Sequence, residues 1–352
     1  MADAWAGADG VAVDAERRFR AMNTDVHVVV VAATMAEAQV ALDDAERAVH
    51  DREARWSRFL QNSELSVLNR SCGRPVIVAE DTFALVRRAI EAWRLTGGVF
   101  DPTVGASLIA AGYDRSFELV TADEPAAAAP IAPAATPAAI ELHETTNSIV
   151  LPEGVTLDLG GIAKGATCDV IVDELMDAGI VGCCINIGGD LRVAGRSPDP
   201  RGWTVTLDCP GSSEVRAITV GEGAVCTSTT TKRRWETTTG DEHHLRDAAT
   251  GAKLETGLIS ASVIAATAQQ AEVLAKVAIA AGPDKAADVL AANKVTGVVV
   301  DDSGAIDELP GFDGFRLQGC VRDATQPGEA TSADTIGDGA PAGATTERVT
   351  PC

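Results

Sequence analysis

Between residues 20 and 33 the chain holds an apolar run, Val26, Val28, Val29, Val30 and Val31, which predicts a buried strand. Residues 35–55 follow with apolar and charged positions at helical spacing. Residues 81–95 repeat that pattern and stop at Gly97-Gly98, a natural helix end. Residues 141–157 read as a short hairpin around Asn147 and Pro152-Glu153-Gly154. Residues 157–179 read as a strand end, a glycine-rich turn and an amphipathic helix closed by Gly179. A strand is predicted at 183–188, ending at Gly188-Gly189, and strand-like alternation recurs at 203–207 and 215–220. Another strand is expected at 258–266, helices at 268–281 and 285–293, and a last strand at 295–300.

Mixed strands and helices with glycine at several strand ends predict an α/β or α+β enzyme architecture. In such folds ligands gather on glycine-lined turns beyond strand ends. Residues 1–18 read as a flexible polar leader, 19–318 as the folded domain and 319–352 as a disordered tail. The Ala/Pro-rich stretch 121–139 reads as a surface loop, because proline interrupts any helix. No internal repeat is visible.

With 352 residues and 46% hydrophobic positions, the chain can bury a core without disulfides or metal staples. Its formal charge of −22 argues against nucleic acid and anionic membrane as main partners. A locally positive pocket for an anionic ligand remains open. The N-terminus shows no basic start before an apolar run, and no stretch reaches membrane-spanning length, so a cytoplasmic location is expected. The eight cysteines contain no CxxC pair and read as free buried thiols.

The most informative segment is Asp158-Leu159-Gly160-Gly161-Ile162-Ala163-Lys164-Gly165, with Asp169 four residues on. A strand delivers a carboxylate into a turn whose missing Cβ atoms let the backbone approach a ligand. The next helix presents free N–H groups suited to phosphate, and Lys164 adds a compact positive charge. An ordinary strand-to-helix turn would read the same way on its own. Four other segments accompany it: Met22-Asn23-Thr24, Gly98 to Gly105 (GVFDPTVG), Ile187-Gly188-Gly189-Asp190 and His243-His244-Leu245-Arg246-Asp247. Ser63 to Asn69 has the flavour of a capping box.

In this order the segments closely resemble the FAD:protein FMN transferase (ApbE-like) family, from about Phe19 to Leu317. The resemblance implies a two-lobed, mixed α/β fold (the ApbE-like T-fold) with FAD in the cleft between the lobes. It implies cleavage of FAD with Mg²⁺, transfer of FMN to a Thr or Ser hydroxyl of an acceptor flavoprotein, and release of AMP. Some members only hydrolyse FAD to FMN and AMP. Position by position, the resemblance assigns FAD contacts to Met22, Phe59, Val99, Phe100, Asp101, Asp158 and Lys164. Phe59 stands where relatives usually place Tyr. His244 becomes the general base with Asp247 beside it. Gly161, through its backbone carbonyl, and Glu272 become metal ligands.

Two departures stand out. Relatives commonly carry Ala-Asp-x-x-x-Thr, whose Asp and Thr bind the metal; here the helix reads Ala271-Glu272-Val273-Leu274-Ala275-Lys276. Either Lys276 swings aside and Mg²⁺ binds through Glu272, Gly161 and phosphate, which is the expectation favoured, or the ammonium partly replaces the metal. The usual HHIIDPRTG-type run is here HHLRDAATG, so Arg246 is either a phosphate contact or a solvated surface cation. Thr227-Ser228 is expected to line the cleft, and Lys232-Arg233-Arg234 to form a solvated edge. Asp158–Gly165 and Gly188-Gly189 are expected to hold the diphosphate together. A non-catalytic flavin-binding protein is the second class, favoured by Lys276. Thr345 and Thr346 in the tail faintly resemble the acceptor motif that the family modifies.

Overall fold

The structure is a computed structural model that describes residues 12–71, 73–120, 130–212, 216–238 and 240–317. The valine run forms strand β2 (Thr24–Ala32), paired antiparallel with β1 (Val13–Ala21) through the two-residue turn Met22-Asn23. Both turn residues have positive φ, 50° and 60°, the conformation that matches the twist of a tight hairpin. Residues 13–18, expected as leader, are therefore strand. Their alternation of half-buried and exposed positions, with charges at Glu16 and Arg18, suits an edge strand.

The chain continues through α1 (Met35–Trp56), α2 (Glu64–Asn69), β3 (Val76–Ile77), α3 (Glu80–Leu95) and α4 (Gly105–Ala110). Next come β4 (Glu141–His143), β5 (Ser148–Val150), α5 (Ala163–Asp177), β6 (Gly182–Ile187) and β7 (Asp190–Gly195). Then follow β8 (Trp203–Leu207), β9 (Arg216–Val220), β10 (Gly223–Thr229), β11 (Arg234–Thr237), β12 (Gly240–His243) and β13 (Leu258–Ala265). α6 (Ala268–Ala281), α7 (Pro283–Ala292), β14 (Thr296–Asp301) and β15 (Ile306–Glu308) complete it. Thr34 caps α1 in a full capping box with Glu37, and Ser63 caps α2 by accepting from the Ser66 amide.

Eight strands form one sheet in the order β1-β2-β6-β7-β10-β13-β14-β15, every pair antiparallel. One face carries Val28, Val30, Ile185, Cys226 and Val263 against Leu42 and Val49 of α1, Ile171 of α5 and Leu274 of α6. The other face carries Val193, Val225, Ile264 and Val298 beneath the β8–β9 hairpin, with Trp203, Ile218 and Phe312. The inner strands thus present apolar side chains to both faces, which is why β2 reads as a continuous valine run rather than an alternation. A separate core joins α2, α3 and β5 through Leu65, Phe83, Ile90 and Ile149, and meets α6 at Val273 and Val277. Strands β7 and β10 and the β11–β12 hairpin do not stand out in the sequence.

Among the described residues no helix is long and apolar enough to cross a membrane. Cys168, Cys183, Cys184, Cys209 and Cys226 are free thiols. Residues 1–11, 121–129 and the tail from 318, with Thr345 and Thr346, lie outside the described residues.

Candidate active site

A cavity of about 710 Å³ opens where the β1–β2 turn, the end of α1, the 99–104 loop, the start of α5, Lys276 of α6 and the 244–246 segment converge. It gathers Met22, Phe59, Val99, Phe100, Asp101, Asp158, Gly161, Lys164, His244 and Arg246, residues scattered over more than 220 positions of sequence. Its wall carries seven cations (Arg20, Arg58, Arg115, Lys164, Arg233, Arg246, Lys276) against five carboxylates, inside a chain of net charge −22. A local excess of cations on an acidic protein is the electrostatic signature of an anionic ligand.

Asp158 opens the glycine turn. Its amide donates to the Pro102 carbonyl at 2.8 Å, fixing the turn against the 99–104 loop. Its Oδ1 accepts from the Gly160 amide at 2.7 Å and its Oδ2 from Arg58 Nε at 2.6 Å. Arg58 then lies over the rings of Phe59 and Tyr113, 4.2 and 4.6 Å from their centroids. Tyr113 is 5.5 Å from Trp235 and from Phe59, so an aromatic patch backs this end of the cavity. In the adjoining 99–104 loop Phe100 is buried, and Asp101 Oδ1 accepts from the Thr103 amide and hydroxyl at 2.7 and 2.5 Å. Burial pushes the Asp101 carboxyl up, against the pull of those two bonds.

Two glycines of the turn sit where an added side chain would meet close neighbours. A Cβ on Gly165 would stand 2.5 Å from the Ala268 carbonyl oxygen, so α5 and α6 touch backbone to backbone there. A Cβ on Gly161 would press to 3.0 Å from the Phe100 ring and 3.3 Å from Lys276 Cε. This close approach brings Lys164 and Lys276 around one buried carboxylate. Lys164 pairs with Asp190, and its Nζ is 3.9 Å from Glu272 Oε1. Burial works against the Lys164 ammonium, but Asp190 and Glu272 outweigh it and hold the group more basic than usual.

Glu272 has no exposed surface. Its Oε2 accepts from the Gly165 amide at 2.8 Å and its Oε1 lies 3.3 Å from Lys276 Nζ. Burial pushes its carboxyl up, opposed by Lys276. Among the described residues no group of three or more His, Cys, Asp or Glu side chains is placed to hold a metal ion. Glu272, sealed and faced by two ammonium groups, does not fit Mg²⁺, which needs near-octahedral oxygens and keeps several waters. Gly161 and Glu272, the two expected metal ligands, both lie against Lys276, whose Cε passes Gly161 and whose ammonium faces Glu272.

The two adjacent histidines differ in kind. His243 Nδ1 accepts from the Leu245 amide at 3.2 Å and its Nε2 pairs with the Leu254 carbonyl at 2.9 Å, so both nitrogens are committed to the loop. His244 lines the cavity, and its buried Nδ1 has no hydrogen-bond partner. Burial first, then Arg233 and Lys276, pushes the His244 imidazole well below its ordinary range and keeps it neutral at pH 7. Asp247 does not orient it. Its Oδ1 accepts from the Ala249 and Thr250 amides and the Thr250 hydroxyl at 3.1, 2.8 and 2.7 Å, and it anchors a turn outside the cavity.

Arg246 is not a solvated surface cation. Its side chain is only 3% exposed and its Nη1 donates to Glu242 at 2.7 Å, yet its Nε and Nη2 have no partner. A buried guanidinium with two idle donors at a cavity wall is suited to an anionic ligand. Arg233 also lines the cavity, whereas its neighbours pair outward, Lys232 with Asp208 and Arg234 with Asp241. Thr227 Oγ1 instead bonds Ser262 across β10 and β13, outside the cavity wall. Gly188-Gly189 closes the β6–β7 hairpin, where a Gly188 side chain would collide with Thr24. The glycine pair does not line the cavity; the segment's contribution to the site is Asp190. Arg58 and Tyr113 belong to no motif, and no sequence signal pointed to them; Arg233, expected on a solvated edge, lines the cavity instead.

Fold and site together define an α+β protein with a cation-rich cavity backed by aromatic rings. The chain belongs to the ApbE family, whose model matches residues 22–299. A protein of Vibrio cholerae named FAD:protein FMN transferase is 27% identical over 267 residues, 74% of this chain and 79% of that one. Its namesake from Treponema pallidum is 27% identical over 271 residues, 72% and 75% of the two chains. The crystal structure of the ApbE protein of Thermotoga maritima superposes with a TM-score of 0.77 at 24% identity, over 87% of this chain and 100% of that one. That of the flavin transferase ApbE from Vibrio cholerae gives 0.70 at 21% identity, with the same coverage.

Proposed function

We propose that this protein is an FAD:protein FMN transferase, which attaches FMN by a phosphoester bond to a Thr or Ser of an acceptor flavoprotein and releases AMP. The observation that carries the reading is that Lys164, Lys276, Arg246 and neutral His244 line one cavity, in a chain of a family whose relatives bear that name. FAD supplies both an anionic diphosphate and two aromatic ring systems, which the cations and the Phe59–Tyr113 patch answer. We assign the activity to the domain expected at 19–318, which the described strand β1 extends back to Val13.

In the reaction the acceptor oxygen bonds to the phosphorus of the FMN half. The bond from that phosphorus to the bridging oxygen breaks, and its electron pair leaves with AMP. His244 takes the hydroxyl proton, for which a neutral imidazole is the required form. Lys164 and Arg246 hold the phosphate oxygens, and such positioning and charge stabilisation do most of the work in phosphoryl transfer. Met22, Val99, Phe100, Asp101 and Asp158 shape the two ends of the ligand. Hydrolysis to FMN and AMP follows from the same site when water replaces the hydroxyl. The five free thiols among the described residues suit a reducing, cytoplasmic setting.

Co-expression with candidate acceptor flavoproteins tests the reading. In-gel flavin fluorescence and an FMN mass increment on the acceptor are the expected results. FAD binding with neither transfer nor AMP release would leave only a flavin-binding protein.

A further inference from the structure

We infer that the Lys276 ammonium stands in for a divalent cation, so that this chain neutralises the diphosphate with protein charges alone. The inference rests on reading the cavity as an FAD site. Lys276 lies one helical turn after Glu272 on α6, and its Nζ donates to the Glu272 backbone oxygen at 3.1 Å and to Oε1 at 3.3 Å. Its methylenes run past Gly161, where an added Cβ would stand 3.3 Å from Lys276 Cε. The side chain therefore fills the interval between the two residues that family resemblance makes metal ligands. An ion brought there would meet a like charge, with Lys164 Nζ on the same carboxylate at 3.9 Å.

What the ammonium offers is what the ligand needs. An ammonium has three donors; two reach Glu272, and the remaining one serves the cavity that Lys276 lines. Lys164 and Lys276 line the cavity while their partners Asp190 and Glu272 do not, so the two ammonium groups are the charges that face the ligand. Negative charge on the phosphate of AMP grows as the bridging bond breaks. A fixed cation beside it lowers that barrier in the way a metal ion does elsewhere.

The test uses the full chain with FAD, in excess EDTA and in excess Mg²⁺. FAD affinity is read from flavin fluorescence and AMP release by chromatography. Both should change by less than about threefold between the two conditions, a difference too small to represent a lost catalytic group. Lys276→Met should bind FAD at least ~10-fold more weakly in EDTA, as loss of a charge-assisted contact does. The double variant Glu272→Asp/Lys276→Thr should bind FAD more tightly once Mg²⁺ is added. Wild-type protein that binds FAD but releases AMP only with Mg²⁺ overturns the inference and leaves the FAD reading intact. So does Lys276→Met with wild-type affinity in EDTA. Wild-type protein that binds no FAD in either condition overturns both.

Discussion

Lys164 and Asp190, 26 residues apart, form an ion pair in which the lysine side chain is 17% exposed and the aspartate 1%. The pair joins the first turn of α5 to the first residue of β7 and fixes the cavity floor to the sheet. Removing one member leaves the other uncompensated. Lys164→Met should cost about 3–5 kcal/mol in urea unfolding, and Lys164→Met/Asp190→Leu should recover part of it. A loss below about 1 kcal/mol would mean the pair is surface-like.

His244→Gln should lower AMP release by roughly 100-fold or more while FAD affinity stays near wild type, the mark of a lost proton acceptor. His243→Gln should act differently, lowering Tm through the loop bonds to Leu245 and Leu254. Equal kinetic losses in the two variants would contradict the division of roles.

The pH dependence follows from the neutral state of His244. Its folded pKa lies well below the ordinary 6.5, because of burial and then Arg233, Lys276, His243 and Lys164. Below about pH 6.5 the unfolded chain takes up a proton that the folded chain refuses, so stability falls as pH falls through that window. The sign is the one for a depressed histidine. Denaturation midpoints from pH 7.5 down to 5 should drop less in His244→Gln than in wild type. The catalytic base itself should stay competent below pH 6.5.

Arg246→Met should weaken FAD binding by about tenfold or more, since its Nε and Nη2 donors lose their ligand role. Arg246→Lys should not restore it, because an ammonium lacks the fork. Isothermal titration with FAD reads both; unchanged affinity in the Met variant would remove Arg246 from the site.

Much of this was legible because its signals are contiguous. The valine run, the capped helices and the Asp158–Gly165 turn each concentrate their pattern in a few neighbouring positions. Arg58 and Tyr113 are single residues that only the fold brings to the cavity, and only the fold separates Arg233 from its two outward-paired neighbours. Asp247 shows the opposite failure: the family resemblance sets it beside His244, but the turn at Thr250 consumes its carboxylate. Gly188-Gly189 reads as a ligand corner, yet its positive φ angles of 65° and 97° belong to a hairpin. Glu272 was legible only through the family resemblance, while its complete burial and its bond to the Gly165 amide, 107 residues away, come from the fold.

That contact between Gly165 and the Ala268 carbonyl carries one more expectation. Gly165→Ala should lower stability by about 1–3 kcal/mol and cut AMP release together, because α5 and α6 must move apart. Differential scanning calorimetry and single-turnover kinetics would show both; a variant changed in neither would mean the helices yield easily.

Seen from the substrate, the backbone contact between α5 and α6 means that the cationic cluster is assembled during folding and not at the moment of encounter. Solvent and side chains then have little reorganising left to do when charge shifts on the phosphates. The field that the reaction uses is, in that sense, built into the tertiary structure through the absence of a single methyl group.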